Sequence, residues 1–159
     1  IRDRIYTSLS SGSNARELVP HAIVDNGLRW HVRAYDRKSN SFRDFVLTRI
    51  SKVTLKQSPA AEERSEQDAE WHRMLPLQLV PHPKNVSFPT AIEMDYGMEN
   101  SQLLINVRAA MAGYLLRRWN VDCTERATLK GAEYQLWLQN RFTLNNVENL
   151  AIAPGYIKI

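Results

Sequence analysis

The chain has a single cysteine, Cys123, in 159 residues. No internal disulfide framework can therefore hold it together, and that usage suits a reducing cytoplasm. It has no run of about 18 apolar residues, which excludes a helical membrane span, and no charged-then-apolar leader opens it. The four histidines, His21, His31, His72 and His82, fall in no H-x-x-x-H or H-E-x-x-H spacing, which argues against a metal cage. Ser8, His31 and Asp44 can be written as a triad, but no elbow glycines surround Ser8, and Asp44 is expected on the wrong strand face. We expect no catalysis, no metal and no cofactor. The first residue is Ile1 and not Met, so an upstream part of the protein is expected beyond these residues.

What the chain does have is cationic charge, unevenly spread. Residues 1–58 carry eleven Lys or Arg against five Asp or Glu, a net +6, whereas residues 59–72 carry five acids and one base, a net −4. The remainder is +2. The positive excess lies in the strand-rich first third and favours an acidic ligand there; the plain alternative is a solvated basic surface.

Three strand-like runs organise that region: 18–24, 28–35 and 42–50. Alternation along the second sets Leu28, Trp30, Val32 and Ala34 on one face and Arg29, His31, Arg33 and Tyr35 on the other. The third sets Arg43, Phe45, Leu47 and Arg49 against Phe42, Asp44, Val46, Thr48 and Ile50. Trp30 is assigned to the core. Pro20 removes a ladder donor from the first run, so that strand should be an edge or begin at a bulge. Asp25, Asn26 and Gly27 supply the positive-φ residues of a hairpin turn. With a further strand in 1–10, a loop over 11–14 and an extension over 52–56, the first 56 residues read as a meander of four to five strands. That size closes into a small Sm-like or SH3-like β-barrel.

From Ser58 the composition shifts to Pro, Ala, Glu and Ser, which marks a connector with a short helix possible over 68–72. The remainder reads as strand 75–80, helix 86–96 with Pro89 in its first turn, strand 102–107, helix 108–119 ending before Asn120, and strand 134–138. That β-α-β-α-β order predicts a compact α+β domain, with the apolar tail 151–159 docking on a neighbour or a partner chain. The expected division is 1–57, a linker 58–73, and 74–159.

The string Arg29-Trp30-His31-Val32 with Ala34-Tyr35-Asp36, then Phe42-Arg43-Asp44-Phe45 and Leu47-Thr48-Arg49-Ile50, resembles the WYL domain of bacterial transcriptional regulators. Trp30-His31-Val32 stands where that family has Trp-Tyr-Leu. Pro20-His21-Ala22 strengthens the likeness to the branch encoded beside anti-phage defence systems. Leu79-Val80-Pro81-His82-Pro83 and Ile92-Glu93-Met94-Asp95-Tyr96-Gly97-Met98 resemble the C-terminal extension that follows WYL domains and often mediates dimerisation. The resemblance implies a ligand-sensing barrel for a nucleotide or single-stranded nucleic acid, a homodimer, and operator DNA bound through an N-terminal winged helix-turn-helix that these residues do not include.

Arg33, Arg43 and Arg49 are the candidate ligand-binding cations, since guanidinium forks hold phosphate oxygens bidentately. His31 adds a pH-dependent donor, Phe45 a stacking surface, and Tyr6 and Ser8 hydroxyl contacts. Against this, the arginines can pair with Asp36, Asp44 or backbone carbonyls, His31 can be a satisfied structural histidine, and Phe45 can be core. A rival reading makes the region a protein-interaction module, or one that contacts the DNA backbone directly.

Overall fold

The computed structural model describes residues 6–8, 15–50, 53–55 and 58–157. They form antiparallel sheets with short helices, in two compact units, Ile1–Ala69 and Glu70–Ile159.

In the first unit, β1 (Tyr6–Ser8), β2 (Arg16–Asp25), β3 (Trp30–Asp36), β4 (Ser41–Val46) and β5 (Val53–Leu55) make one sheet in the order β4-β3-β2-β1-β5. Its turns follow local chemistry. Asp25 Oδ1 accepts the Gly27 N–H and Asn26 Oδ1 accepts those of Leu28 and Arg29, while Gly27 takes φ 85°. β2 is an interior strand, and Pro20 is accommodated by a register shift between Pro20 and Ala22, a bulge that absorbs the missing donor. Among the described residues β4 does not pair with β5, so the sheet stands open where a closed barrel was expected. The third run is also shorter than its pattern: β4 stops at Val46, and a 3-10 turn, Leu47–Arg49, follows. Residues 58–68, expected to be mainly a connector, carry two 3-10 turns, with Pro59, Glu63 and Asp68 buried.

The second unit follows α1 (Ala69–His72) with β6 (Met74–Pro81), α2 (Pro89–Asp95), β7 (Leu103–Arg108), α3 (Ala109–Arg118) and β8 (Leu136–Leu138). The sheet order is β7-β6-β8, all antiparallel. Leu75, Leu77 and Leu79 alternate along β6 onto the core with Ile92, Leu116 and Leu136, each buried Leu worth about 1.5–3 kcal/mol. Pro89 sits in the first turn of α2, where its missing N–H costs nothing. α3 ends in a Schellman motif: Val121 N–H reaches Leu116 O, Asn120 N–H reaches Arg117 O, and Asn120 takes φ 47°. Gly113, buried in α3, lets the backbone of Asn149 approach, and its N–H donates to Asn149 Oδ1 at 3.1 Å. The tail turns back on its own unit, with Ala153 buried and Cys123 N–H bonded to Pro154 O.

β6 is a central strand despite Pro76. Asn140, just after β8, resolves this by donating from Nδ2 to Pro76 O (2.7 Å) and accepting the Gln78 N–H at Oδ1 (2.9 Å). One carboxamide thus takes the place of a strand residue opposite the proline.

Candidate functional site

Register decides which candidate residues meet. Arg33 lies opposite Asp44, His31 opposite Val46, and Tyr35 opposite Phe42. Ala34 lies opposite Arg43, and Val32 opposite Phe45. Directly opposed residues share a sheet face, so Arg33 and His31 lie on one side of the sheet and Arg43 and Phe45 on the other. The sequence pattern grouped these cations together and set Asp44 apart; a pairing offset by one residue reverses both assignments. Arg49 leaves the strand altogether and lies exposed in the 3-10 turn.

The Arg33 face is a buried ion-pair network. Arg33 Nε and Nη2 donate to Asp68 at 2.6 and 2.9 Å, and Nη1 donates to Asp44 at 3.2 Å. His21, on the bulge, bonds Asp68 Oδ2 at 2.9 Å. Burial weakens the charge on Arg33, but the bonds and fields of Asp68 and Asp44 outweigh it and raise its pKa. Beside it, Arg37 makes a bidentate pair with Glu63 at 2.5 and 2.8 Å and reaches Glu17 at 3.1 Å. Those bonds to Glu63 raise the pKa of Arg37 and lower that of Glu63. Asp68 and Glu63 both come from the acidic segment 58–68, which therefore folds onto the basic sheet. His31 is buried at 6% exposure on this face, with Phe42 edge-on to both Tyr35 and His21 nearby.

The opposite face is open at one end. Arg43 is exposed, Phe45 half-buried, and Arg16 lies 5.8 Å over the Phe45 ring while paired with Asp36. Ile23, opposite Val32, and Trp30, opposite Asp25, continue that face. Trp30, expected in the core, is 55% exposed. Arg16 and Trp30 are members the sequence pattern missed; the alternation that set Trp30 beside Val32 was correct, but the hairpin end of β3 is not covered. The strand backbone of β1 sets Tyr6 opposite Leu18 and Ser8 opposite Arg16, whereas the side chains of Tyr6 and Ser8 lie outside the described residues. No group of three His, Cys, Asp or Glu among the described residues is arranged to hold a metal, and none of the described helices is long and apolar enough to cross a membrane.

A five-stranded meander with a buried ion-pair network on one face, followed by a β-α-β-α-β unit, is the class of architecture these residues define. Comparison with known proteins makes that class specific. The family model for the WYL domain matches residues 4–55, and the model for the BrxR transcriptional regulator C-terminal dimerization domain matches residues 74–144. The chain is 38% identical over 138 residues to the DNA-binding transcriptional repressor CapW of Pseudomonas aeruginosa, covering 86% of this chain and 45% of that protein. CapW of Escherichia coli (strain KTE188) is 34% identical over 139 residues, 86% of this chain and 46% of the relative. CapW of Stenotrophomonas maltophilia is 33% identical over 129 residues, 77% and 43% respectively. The chain carries a WYL domain followed by a BrxR-type C-terminal dimerization domain. It spans less than half the length of these relatives. Among solved structures, proteasome accessory factor B/C of Arthrobacter aurescens aligns with 74% of this chain and 21% of that chain, at 16% identity and a TM-score of 0.30.

Proposed function

We propose that this chain is the ligand-sensing and dimerising region of a DNA-binding transcriptional repressor, acting on operator DNA through a segment outside these 159 residues. Residues 1–57 are the sensor, 58–73 the connection and 74–159 the dimerisation domain. The setting beside anti-phage defence genes belongs to the same reading.

The ligand is an anion with an aromatic base, a nucleotide or short single-stranded nucleic acid. One observation carries this: Arg43 and Phe45 share a face with the exposed Trp30, which joins a phosphate donor to stacking surfaces. Arg49 supplies further charge from the following turn. Arg33 and His31 are the buried support of that site, because Asp44 and Asp68 already occupy the Arg33 guanidinium. Ligand occupancy then shifts the balance between repressor states through its unequal affinity for them.

Fluorescence anisotropy with labelled oligonucleotides and nucleotides tests the site. Arg43→Ala and Phe45→Ala should each weaken binding about tenfold or more, since lost stacking alone is worth about 1–3 kcal/mol. Neutralising two phosphates on a single strand should give a log–log salt slope of about −1.4. Absence of binding, or binding indifferent to both variants, rules this site out. The exposed Ile23 and Trp30 also suit a protein partner; salt-insensitive capture of a protein that Trp30→Ala abolishes would favour that second reading.

A further inference from the structure

The outer strand of the second sheet points to how two copies join. β7 pairs only with β6 among the described residues, so one of its edges has no neighbouring strand. The bonds of β6 reveal which backbone groups face that edge. Pro76 O and the Gln78 N–H bond to Asn140, and Gln78 O accepts the Gln139 N–H at 3.0 Å. Pro76 and Gln78 therefore direct their polar groups towards β8, leaving Leu75, Leu77 and Leu79 to bond β7. The opposed residues are Val107, Ile105 and Leu103. By the alternation of an antiparallel ladder, the N–H and C=O groups of Leu104 and Asn106 face outward.

That edge lacks the usual protection. Natural edges carry lysine, proline, a bulge or an inward charge; the run Leu103-Leu104-Ile105-Asn106-Val107-Arg108 has no lysine, no proline and regular register with β6. Its one charge, Arg108, is engaged elsewhere, 4.7 Å over Trp71 and donating to Trp71 O at 2.6 Å. Leu104 is 68% exposed. An uncharged, self-complementary edge suits a twofold contact, in which the same strand meets itself and any fixed charge would face its own copy.

We propose that the occupant of this edge is β7 of a second copy, paired antiparallel, with Leu104 of each copy opposite Asn106 of the other and the twofold axis at Ile105. Two residue pairs then exchange four backbone hydrogen bonds, and the two three-stranded sheets become one of six strands. This rests on the dimeric reading above and names its contact.

The test is sedimentation equilibrium on the 159-residue chain. Asn106→Pro removes an outward N–H while sparing the ladder to β6, and should raise the dimer dissociation constant tenfold or more. Leu104→Lys places an exposed charge at the same edge and should act likewise; it serves if the proline variant fails to fold by circular dichroism. Met94→Glu and Phe142→Glu, both at exposed apolar positions off the sheet, should leave the constant unchanged. If the dimer survives Leu104→Lys and Asn106→Pro but yields to either control, the β7 contact is wrong and the dimeric reading stands. A monomeric wild type at high concentration overturns both.

Discussion

Arg33 ties β3 to β4 and to the segment that carries Asp68. It is buried at 5% exposure, and three of its nitrogens are occupied by two carboxylates. Removing the guanidinium leaves those carboxylates with a lost countercharge, so Arg33→Ala should cost about 3–5 kcal/mol, measured by urea unfolding. Arg43→Ala, at an exposed position, should change stability by less than about 0.5 kcal/mol. This contrast separates a fold-supporting arginine from an exposed one, although they sit on adjacent strands. In the second unit Asp122 plays a comparable part. It accepts the N–H groups of Thr124 and Leu129 at 2.7 and 3.0 Å, and bonds His82 Nε2 at 3.1 Å. His82 Nδ1 accepts from the Lys84 and Asn85 N–H groups, so its Nε2 carries the proton donated to Asp122. Cys123, beside it, is held protonated by burial, its pKa pushed up to about 12.

Among the elements, α3 makes the sharpest demand on side-chain size. A methyl group at Gly113 would collide with the Asn149 carbonyl, so Gly113→Ala should destabilise the second unit by about 1–3 kcal/mol. Helix propensity alone predicts a gain of about 1 kcal/mol, and thermal unfolding by circular dichroism distinguishes the signs. Periodicity made α3 and β6 legible, because each buries one face and so has a clear apolar repeat; α2, with only Ile92 buried, was marked instead by Pro89 in its first turn. The strands of the first unit were equally legible as strands. Their mutual register was not, since alternation tells which residues of one strand share a face but carries no information on which residue lies opposite. Arg33 and Arg43 were separated by that missing offset. The role of residues 58–68 was hidden for a different reason: its contacts are ionic and irregularly spaced, so Glu63 and Asp68 look like any solvated acids until Arg37 and Arg33 are seen beside them. Trp30 was misread because aromatic character on the apolar face predicts burial only where something covers the face.

For the molecule as a whole, acid should act on both units through different carboxylates. The bond from Arg37 lowers the pKa of Glu63. Asp122 is also lowered, since the hydrogen bonds from Thr124, Leu129 and His82 outweigh the opposing effect of burial. Depressed folded-state values mean that the unfolded chain binds more protons at low pH. The stabilisation is complete above the unfolded values of about 4 and is lost as pH falls through the folded ones. Urea midpoints should therefore fall steadily below about pH 4; Asp122→Asn should flatten the part of that fall belonging to the second unit. A further consequence attaches to Asp68. Its carboxylate is fastened to Arg33 and His21, and the second unit begins two residues later at Glu70. The free leash between anchor and second unit is thus about 7 Å at full stretch, where sixteen slack residues would roam over about 20 Å. Freeing that carboxylate would move the last anchor back to Glu63, held by Arg37, and lengthen the untethered run from two residues to seven.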